Sequence, residues 1–301
     1  MYIGVDLGGT KITAGLADKA GQILQKETVR TGQNVTEQLA ELIQRLSAGQ
    51  HITKIGLGVP GQVKDGQVFS MPNIPQLGGV NLWSALNKLY PADYTIENDA
   101  NAAAMAELRY GAGRGCRNFI YVTISTGIGG GIIIDGKLYA GANGTAGEFG
   151  HVILLPDGPL CGCGNKGCWE SLGSGTALAK MVAAKVESGE ATRLKELAKA
   201  DQLTAETVVE AAKQGDPTAL ELLDVNGYYN AIGLANLVNT FDPEMIIIGG
   251  GLSFNGDYFF QPLLKNLRMF RLFNPEHSIK ILRAGCGRDA GLLGAVALVL
   301  P

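Results

Sequence analysis

Cys161, Cys163 and Cys168 stand in one glycine-rich run, Cys161-Gly-Cys163-Gly-Asn-Lys-Gly-Cys168-Trp-Glu170, and His151 lies ten residues before it. Three thiols and an imidazole are what a closed tetrahedral Cys3His zinc site needs. The intervening glycines let the backbone turn tightly enough for the sulfurs to converge. Read as a disulfide framework, the same run leaves one thiol over, and Cys161 and Cys163 are too close to bridge easily. The cluster is bracketed by Glu148, His151 and Glu170, so a metal here would pin polar side chains around a pocket. If one His151 nitrogen binds zinc, the other is fixed in tautomer and direction.

Two further glycine turns carry possible anion chemistry. Asp6-Leu7-Gly8-Gly9-Thr10-Lys11 can present backbone N–H groups, a hydroxyl and an ammonium to phosphate oxygens, with Asp6 holding a metal-bound water. It lacks the spacing of a P-loop or a dinucleotide fingerprint, and a plain Gly-Gly hairpin is the alternative. Ser125-Thr126-Gly127-Ile128-Gly129-Gly130-Gly131 is a second such turn, or a glycine-bulged hairpin. Ile248-Gly249-Gly250-Gly251 would let an adenine or ribose approach the backbone, or is a simple strand-to-helix turn. Glu97-Asn98-Asp99-Ala100-Asn101 starts a helix. Its Asn and Asp suit capping, and Asp99 also suits a catalytic base kept ionised by the helix dipole. In phosphoryl transfer such a carboxylate accepts the proton of the attacking hydroxyl. Asn73, on the rigid Pro72-Asn73-Ile74-Pro75 loop, joins Asn98, Glu148, His151 and Glu170 in a set suited to sugar hydroxyls, which must find partners when buried.

The elements that position these residues follow from periodicity. Strands are expected at 2–6, 12–17 and 22–29, and a helix through Leu39, Leu42, Ile43 and Leu46 with Thr36 as N-cap. Strands at 55–59 and 94–97 lead to an Ala-rich helix ending near Tyr110. The pattern restarts with strands at 119–124, 128–134 and 137–140. Helices are expected at 175–188, 204–214 and 217–239, the last with Asp216 as N-cap and Pro217 at N1. The polar stretch 187–203 reads as a helical surface connection. A strand at 245–248, a helix at 256–269, a strand at 279–282 and a helix at 289–299 close the chain. Strands alternating with helices in two halves predict an α/β fold of two domains facing a cleft.

The chain has 301 residues, 46% of them hydrophobic and 18% charged, with a formal net charge of −3 and 43 glycines. That length allows two domains and a substantial core. The charge and the lack of a Lys/Arg cluster argue against a nucleic-acid partner. No signal peptide is visible, and no apolar run approaches a membrane span. Thiols used as metal ligands fit a reducing cytoplasm. Cys116 and Cys286 read as small buried hydrophobes.

Taken together, these motifs resemble the ROK family of sugar kinases and sugar-responsive repressors, within the actin-like (ribonuclease H-like) ATPase superfamily. The likeness covers essentially the whole chain. Asp6–Lys11 resembles the family's first phosphate loop and Ser125–Gly131 its second. Gly141 to Gly147-Glu148-Phe149-Gly150-His151 and Cys161–Glu170 fit its signature segments. The resemblance implies Asp99 as base, and Asn73, Asn98, Asp99, Glu148, His151 and Glu170 around the sugar. It further implies Asp6, Gly8, Gly9, Thr10, Lys11, Thr126, Gly127, Gly249 and Gly250 around the nucleotide. Structural zinc would sit on His151, Cys161, Cys163 and Cys168, and Mg2+ would come with ATP. The implied domains are 1–117 plus about 287–301, and 118–286. The implied reaction is ATP-dependent phosphorylation of a hexose 6-hydroxyl, glucose first. N-acetylmannosamine, N-acetylglucosamine or another hexose is the alternative, and a non-catalytic sugar sensor a remote one. Members of the repressor branch carry a helix-turn-helix ahead of the Asp-x-Gly-Gly-Thr turn; with five residues before Asp6, the expectation is an enzyme rather than a repressor. A cytoplasmic homodimer or homotetramer without membrane contact completes the expectation.

Overall fold

The computed structural model describes residues 1–71, 74–190, 192–197, 203–270, 272 and 279–301. The chain begins with three strands, β1 (Tyr2–Leu7), β2 (Lys11–Ala17) and β3 (Ile23–Arg30), followed by helix α1 (Val35–Ser47). Strand β4 (Lys54–Val59), the small hairpin β5 (Gln62–Lys64) and β6 (Gln67–Ser70), helix α2 (Leu82–Leu89), strand β7 (Tyr94–Asn98) and helix α3 (Asp99–Arg109) come next. The sheet order is β3-β2-β1-β4-β7, with β1, β4 and β7 parallel and β2 and β3 antiparallel to their neighbours. Alternation along β1 assigns its two faces. Ile3, Val5 and Leu7 enter one buried cluster with Leu39, Leu42, Ile43 and Leu46 of α1 and Leu82 and Leu86 of α2. Gly4 and Asp6 point the other way. Helix α1 starts two residues earlier than its sequence suggests: the N-cap is Asn34, without a side-chain cap bond, and Thr36 already lies inside the first turn. Val35 is buried, and burying it draws the first turn back past Thr36.

The second stretch contains β8 (Phe119–Ile124), β9 (Ile128–Ile134), β10 (Lys137–Leu138), α4 (Trp169–Gly173), α5 (Gly175–Glu187), α6 (Thr192–Leu197), α7 (Ala205–Lys213), α8 (Pro217–Phe241), β11 (Met245–Gly249), α9 (Asp257–Leu267) and β12 (Lys280–Arg283). Its sheet order is β10-β9-β8-β11-β12. Helix α8 begins as the sequence predicts, with Pro217 in its first turn and the Asp216 carboxylate accepting from Ala219 N at 2.8 Å. It packs against α4, α5, α7 and α9. Gly233 is a close-approach position on this helix, because a Cβ there would lie 2.3 Å from the Trp169 indole. Trp169 is fully buried and donates through Nε1 to Asn230 Oδ1 at 2.9 Å. Asn230 Nδ2 donates in turn to Gly173 O, Asn226 O and Asn226 Oδ1, each at 3.0 Å.

The chain divides into two compact units, one of Met1–Tyr121, Gly131–Gly147 and Ala284–Pro301, the other of Val122–Gly130 and Glu148–Arg283. Residues 131–147, placed by the sequence reading in the second half, group with the first unit. Helix α10 (Ala290–Ala297) also belongs to the first unit, where it covers the face of β1 and β4 opposite α1. Glycines make that packing possible. A Cβ at Gly56 would fall 1.9 Å from Ala295 O, and one at Gly4 would fall 2.6 Å from a Val296 methyl. Glu107, fully buried near the end of α3, ties the returning chain down: its carboxylate accepts from Gly285 N at 3.0 Å, Cys286 N at 2.9 Å and Ala112 N at 2.7 Å. Burial, with help from the same carboxylate, pushes the Cys286 thiol up to about 12. Among the described residues, no helix is long and apolar enough to cross a membrane.

Candidate active site and metal centre

In the first unit, parallel register brings two of the sequence motifs to one sheet edge. Asp6 pairs with Gly58, Gly58 with Glu97, and Val59 with Asn98. The Gly8–Lys11 turn and the Asn98–Asp99 corner therefore leave neighbouring parallel strands at the same C-terminal end, where open α/β sheets bind ligands. The turn is fixed by Gly8 N donating to Lys11 O at 2.9 Å and by Thr31 Oγ1 donating to Gly8 O at 2.7 Å. Gly9, Thr10 and Lys11 are exposed. Asp6 lies against α10, where a Cβ on Gly291 would meet its carboxylate at 2.5 Å. Burial raises the Asp6 pKa, and Lys11 and Lys26 partly oppose that.

The corner after β7 is tightly bonded. Asn98 is the N-cap of α3: its Oδ1 accepts from Ala100 N at 2.9 Å and Asn101 N at 3.2 Å, and its Nδ2 donates to Gly61 O at 3.1 Å. That leaves one Nδ2 hydrogen for a ligand. Glu97 Oε1 accepts from Asn98 N at 2.8 Å and Asn101 Nδ2 at 3.0 Å, holding strand end and first turn together. Asp99 is the first helical residue, exposed, with Oδ1 accepting from Ala100 N at 2.8 Å. A carboxylate here sits in the favourable field of the helix N-terminus.

In the second unit, His151, Cys161, Cys163 and Cys168 converge, with their donor atoms all within 4.8 Å of one another. Zinc with sulfur at about 2.3 Å and imidazole nitrogen at about 2.0 Å needs donor separations of about 3.5–3.8 Å in a tetrahedron. The structure has Cys161 Sγ to His151 Nδ1 at 3.7 Å and Cys163 Sγ to Cys168 Sγ at 3.6 Å. The donors fit the metal. Burial pushes the Cys168 thiol up to about 12 and raises Cys161, while a backbone hydrogen bond at Asn165 lowers Cys163. Burial disfavours the Cys161 and Cys168 anions unless a cation is present, and a bound cation deprotonates all three thiols outright. The His151 tautomer follows: Nδ1 faces the sulfurs, and Nε2 faces Glu148 Oε2 at 4.0 Å. Burial raises the Glu148 pKa; His151 opposes that and Glu170 adds to it.

The second glycine turn adjoins this centre. Ser125 N donates to Gly127 O at 2.9 Å, and Glu170 Oε2 accepts from Ile128 N at 2.9 Å. Gly175 N donates to Ser125 O at 2.7 Å and Thr176 Oγ1 to Thr126 O at 2.8 Å. Gly249 closes β11. Gly250, at φ 85°, is pressed onto the preceding sheet edge, where a Cβ would meet Ile124 O at 2.5 Å. Beside these turns lies an open pocket of about 260 Å³ lined by Ser125, Thr126, Gly175, Thr176, Ala179, Thr204, Ala205, Glu206, Gly251 and Leu252. Its size and mixed lining suit a small heteroaromatic ligand. Thr176, Thr204 and Glu206 escaped the sequence reading. The signal for Thr176 was Ser174-Gly175, a cap followed by a residue without a side chain at a helix start; Thr204 and Glu206 offered none. Asn73 lies outside the described residues.

The chain has relatives among known proteins. The chain is 37% identical to glucokinase of Streptomyces coelicolor over 99% of its own length and 97% of that protein's. It is 33% identical to N-acetylmannosamine kinase of Escherichia coli over 98% and 97%. The crystal structure of a ROK family glucokinase from Streptomyces griseus, in complex with glucose and AMPPNP, matches with TM-score 0.84 and 38% identity, covering 99% of this chain and 98% of that one. The fold is accordingly the mixed α/β fold of ROK sugar kinases. The ROK family model matches residues 2–301, and the chain belongs to the ROK family.

Proposed function

We propose that this protein is an ATP-dependent hexose kinase that phosphorylates glucose at its 6-hydroxyl. The observation that carries the reading is the Asn98–Asp99 corner. It presents a carboxylate at a helix N-terminus, on the same sheet edge as the Gly8–Lys11 turn. Asp99 takes the proton of the attacking hydroxyl. Asn98 donates its remaining Nδ2 hydrogen to the sugar, and Asn73, Glu148, His151 and Glu170 pair with other hydroxyls. His151 gives Nδ1 to zinc and Nε2–H to the sugar. The turns of Gly8, Gly9, Thr10 and Lys11 and of Thr126 and Gly127 hold the phosphates, and the pocket beside Thr176 and Gly251 takes the nucleoside. Mg2+ bound with the nucleotide supplies charge neutralisation for the transferring phosphoryl group. Asp6 would hold one of its waters.

Glucose is favoured by the 37% identity to a glucokinase, against 33% to an N-acetylmannosamine kinase. The thiol ligands suit a cytoplasmic enzyme, and the net charge of −3 suits one without a nucleic-acid partner. A homodimer or homotetramer, and domains of 1–117 with about 287–301 and of 118–286, complete the reading. A coupled assay of ADP release over a panel of hexoses and N-acetylhexosamines tests it. The highest kcat/KM falls on glucose. ATP consumption indifferent to every sugar would refute the kinase, and a preference for an N-acetylhexosamine would replace the substrate.

A further inference from the structure

Glu170 lies two residues beyond Cys168, and its two carboxylate oxygens face different partners. Oε2 accepts from the backbone N–H of Ile128 at 2.9 Å, and Oε1 lies 3.9 Å from Cys161 Sγ. Ile128 directly follows the Thr126–Gly127 turn. The approach is so close that a Cβ on Gly127 would stand 2.4 Å from Glu170 Oε2. A methyl at 127 would therefore push the carboxylate off its bond to the Ile128 N–H. The chain after Glu170 returns to the same turn, through Gly175 N on Ser125 O at 2.7 Å and Thr176 N on Thr126 O at 3.3 Å. Between these contacts runs only α4, a five-residue helix that starts directly after the ligand Cys168 and is pinned through Trp169 and Asn230.

We propose that Glu170 is a positioning residue through which the metal centre holds the Ser125–Ile128 turn in shape for the nucleotide phosphates. The inference rests on the kinase reading above and deepens it. A carboxylate on a backbone N–H is a charge-assisted bond, stronger than a neutral one. Its direction depends on where Cys168 fixes the start of α4, so loss of the metal loosens the turn as well as the ligand loop. Outer partners of a metal site commonly couple in this way to the chemistry they orient. One oxygen serves the turn and leaves Oε1 for a sugar hydroxyl. A single side chain then links zinc, sugar and nucleotide.

The experiment uses the full-length protein as wild type, Glu170→Gln, Glu170→Ala and Cys163→Ser. Four quantities are read: zinc content, hydrogen exchange at the Ile128 amide, and calorimetric binding of glucose and of a non-hydrolysable ATP analogue. Glu170→Gln keeps a neutral acceptor for Ile128, so exchange protection and analogue affinity fall by clearly less than in Glu170→Ala, while glucose binding weakens. Glu170→Ala keeps stoichiometric zinc, loses protection at Ile128 and binds the analogue about ten- to a hundredfold more weakly, the usual range for a charged hydrogen bond. Cys163→Ser loses zinc and shifts exchange and analogue affinity in the same direction. A folded, zinc-replete Glu170→Ala protein with wild-type analogue affinity overturns the inference. So does a zinc-free Cys163→Ser protein with Ile128 still protected, or a Glu170→Gln protein as impaired toward the analogue as Glu170→Ala. Wild type without glucose-dependent ATP consumption overturns instead the kinase reading on which the inference rests.

Discussion

Asn230→Ala tests how the segment bearing Cys168 and Glu170 is anchored. Asn230 is wholly buried on α8, and its truncation orphans two buried groups. Trp169 Nε1–H loses its acceptor at 2.9 Å, and Asn226 Oδ1 loses its donor at 3.0 Å. The carbonyl of Gly173 is spared, because Asn226 Nδ2 still donates to it at 2.9 Å. A buried polar group left unpaired costs about 1–3 kcal/mol, so the two together cost about 4 kcal/mol. That is a large part of the 5–15 kcal/mol typical of a folded protein. Trp169→Phe removes the donor of the same bond and is expected to cost about 3 kcal/mol, from one orphaned oxygen and a lost ring. Because both changes break one interaction, the double variant should be less destabilised than their sum, by about 1–2 kcal/mol. Urea unfolding followed by circular dichroism gives the cycle. In a Trp83→Phe background, emission from Trp169 reports locally, since the chain has 2 tryptophans. An Asn230→Ala protein within about 0.5 kcal/mol of wild type, or strictly additive variants, would refute the account of α4 as a segment held by this buried network.

Three other changes probe separate parts of the molecule. Asp99→Asn keeps size and helix position but cannot accept the proton, so kcat should fall roughly 10²-fold or more with little change in glucose affinity by calorimetry; near wild-type turnover would dismiss Asp99 as base. Asp6→Asn should lower activity yet raise the melting temperature near neutral pH. Burial raises the Asp6 pKa above its unfolded value, so the ionised form destabilises the fold, and the gain on substitution should vanish as pH falls through the folded pKa. Melting curves from pH 8 to pH 4 read this directly, and a pH-independent difference would contradict it. Gly56→Ala drives a methyl into Ala295 O and should cost about 3 kcal/mol or more in urea unfolding; a neutral result would show that α10 shifts without penalty.

The metal ligands could be read from the sequence because their chemistry depends on residue type and short spacing, and the structure places them within bonding reach of one ion. The strands under Asp6 and Asn98 were legible too, since Ile55–Val59 is an apolar run stopped by Pro60-Gly61 and Tyr94–Glu97 is a short run leading into the helix start at Asn98-Asp99, but their parallel pairing was not. What stayed hidden depends on distant partners. Asn230 on a helix looks like any solvated amide, and nothing local shows that it faces Trp169. Glu107, in an alanine-rich helix, gives no sign that it will meet the N–H groups of Gly285 and Cys286. Gly4, Gly56 and Gly233 read as weak points in their elements until the helix or ring each one admits is known. Thr36 misled for a simpler reason: capping preference was outweighed by burial of Val35.

The cover that α10 gives to β1 and β4 has a consequence for synthesis. The first unit is finished by the last part of the chain, residues 284–301, while the whole of Val122–Gly130 and Glu148–Arg283 is made in between. At translation rates of about 5–20 residues per second, the nascent β1–β4–β7 layer waits on the order of ten to forty seconds for its second cover. During that interval the face carrying Gly4 and Gly56 is open, its glycines presenting bare backbone where Val296 and Ala295 will later lie. The second unit has no such dependence: every segment it needs is available by Arg283. Vectorial folding should therefore complete the metal-binding half first, and a chain ending before Ala290, carried clear of the ribosome exit tunnel by a C-terminal linker, should have a second unit that resists protease while its first unit is cut.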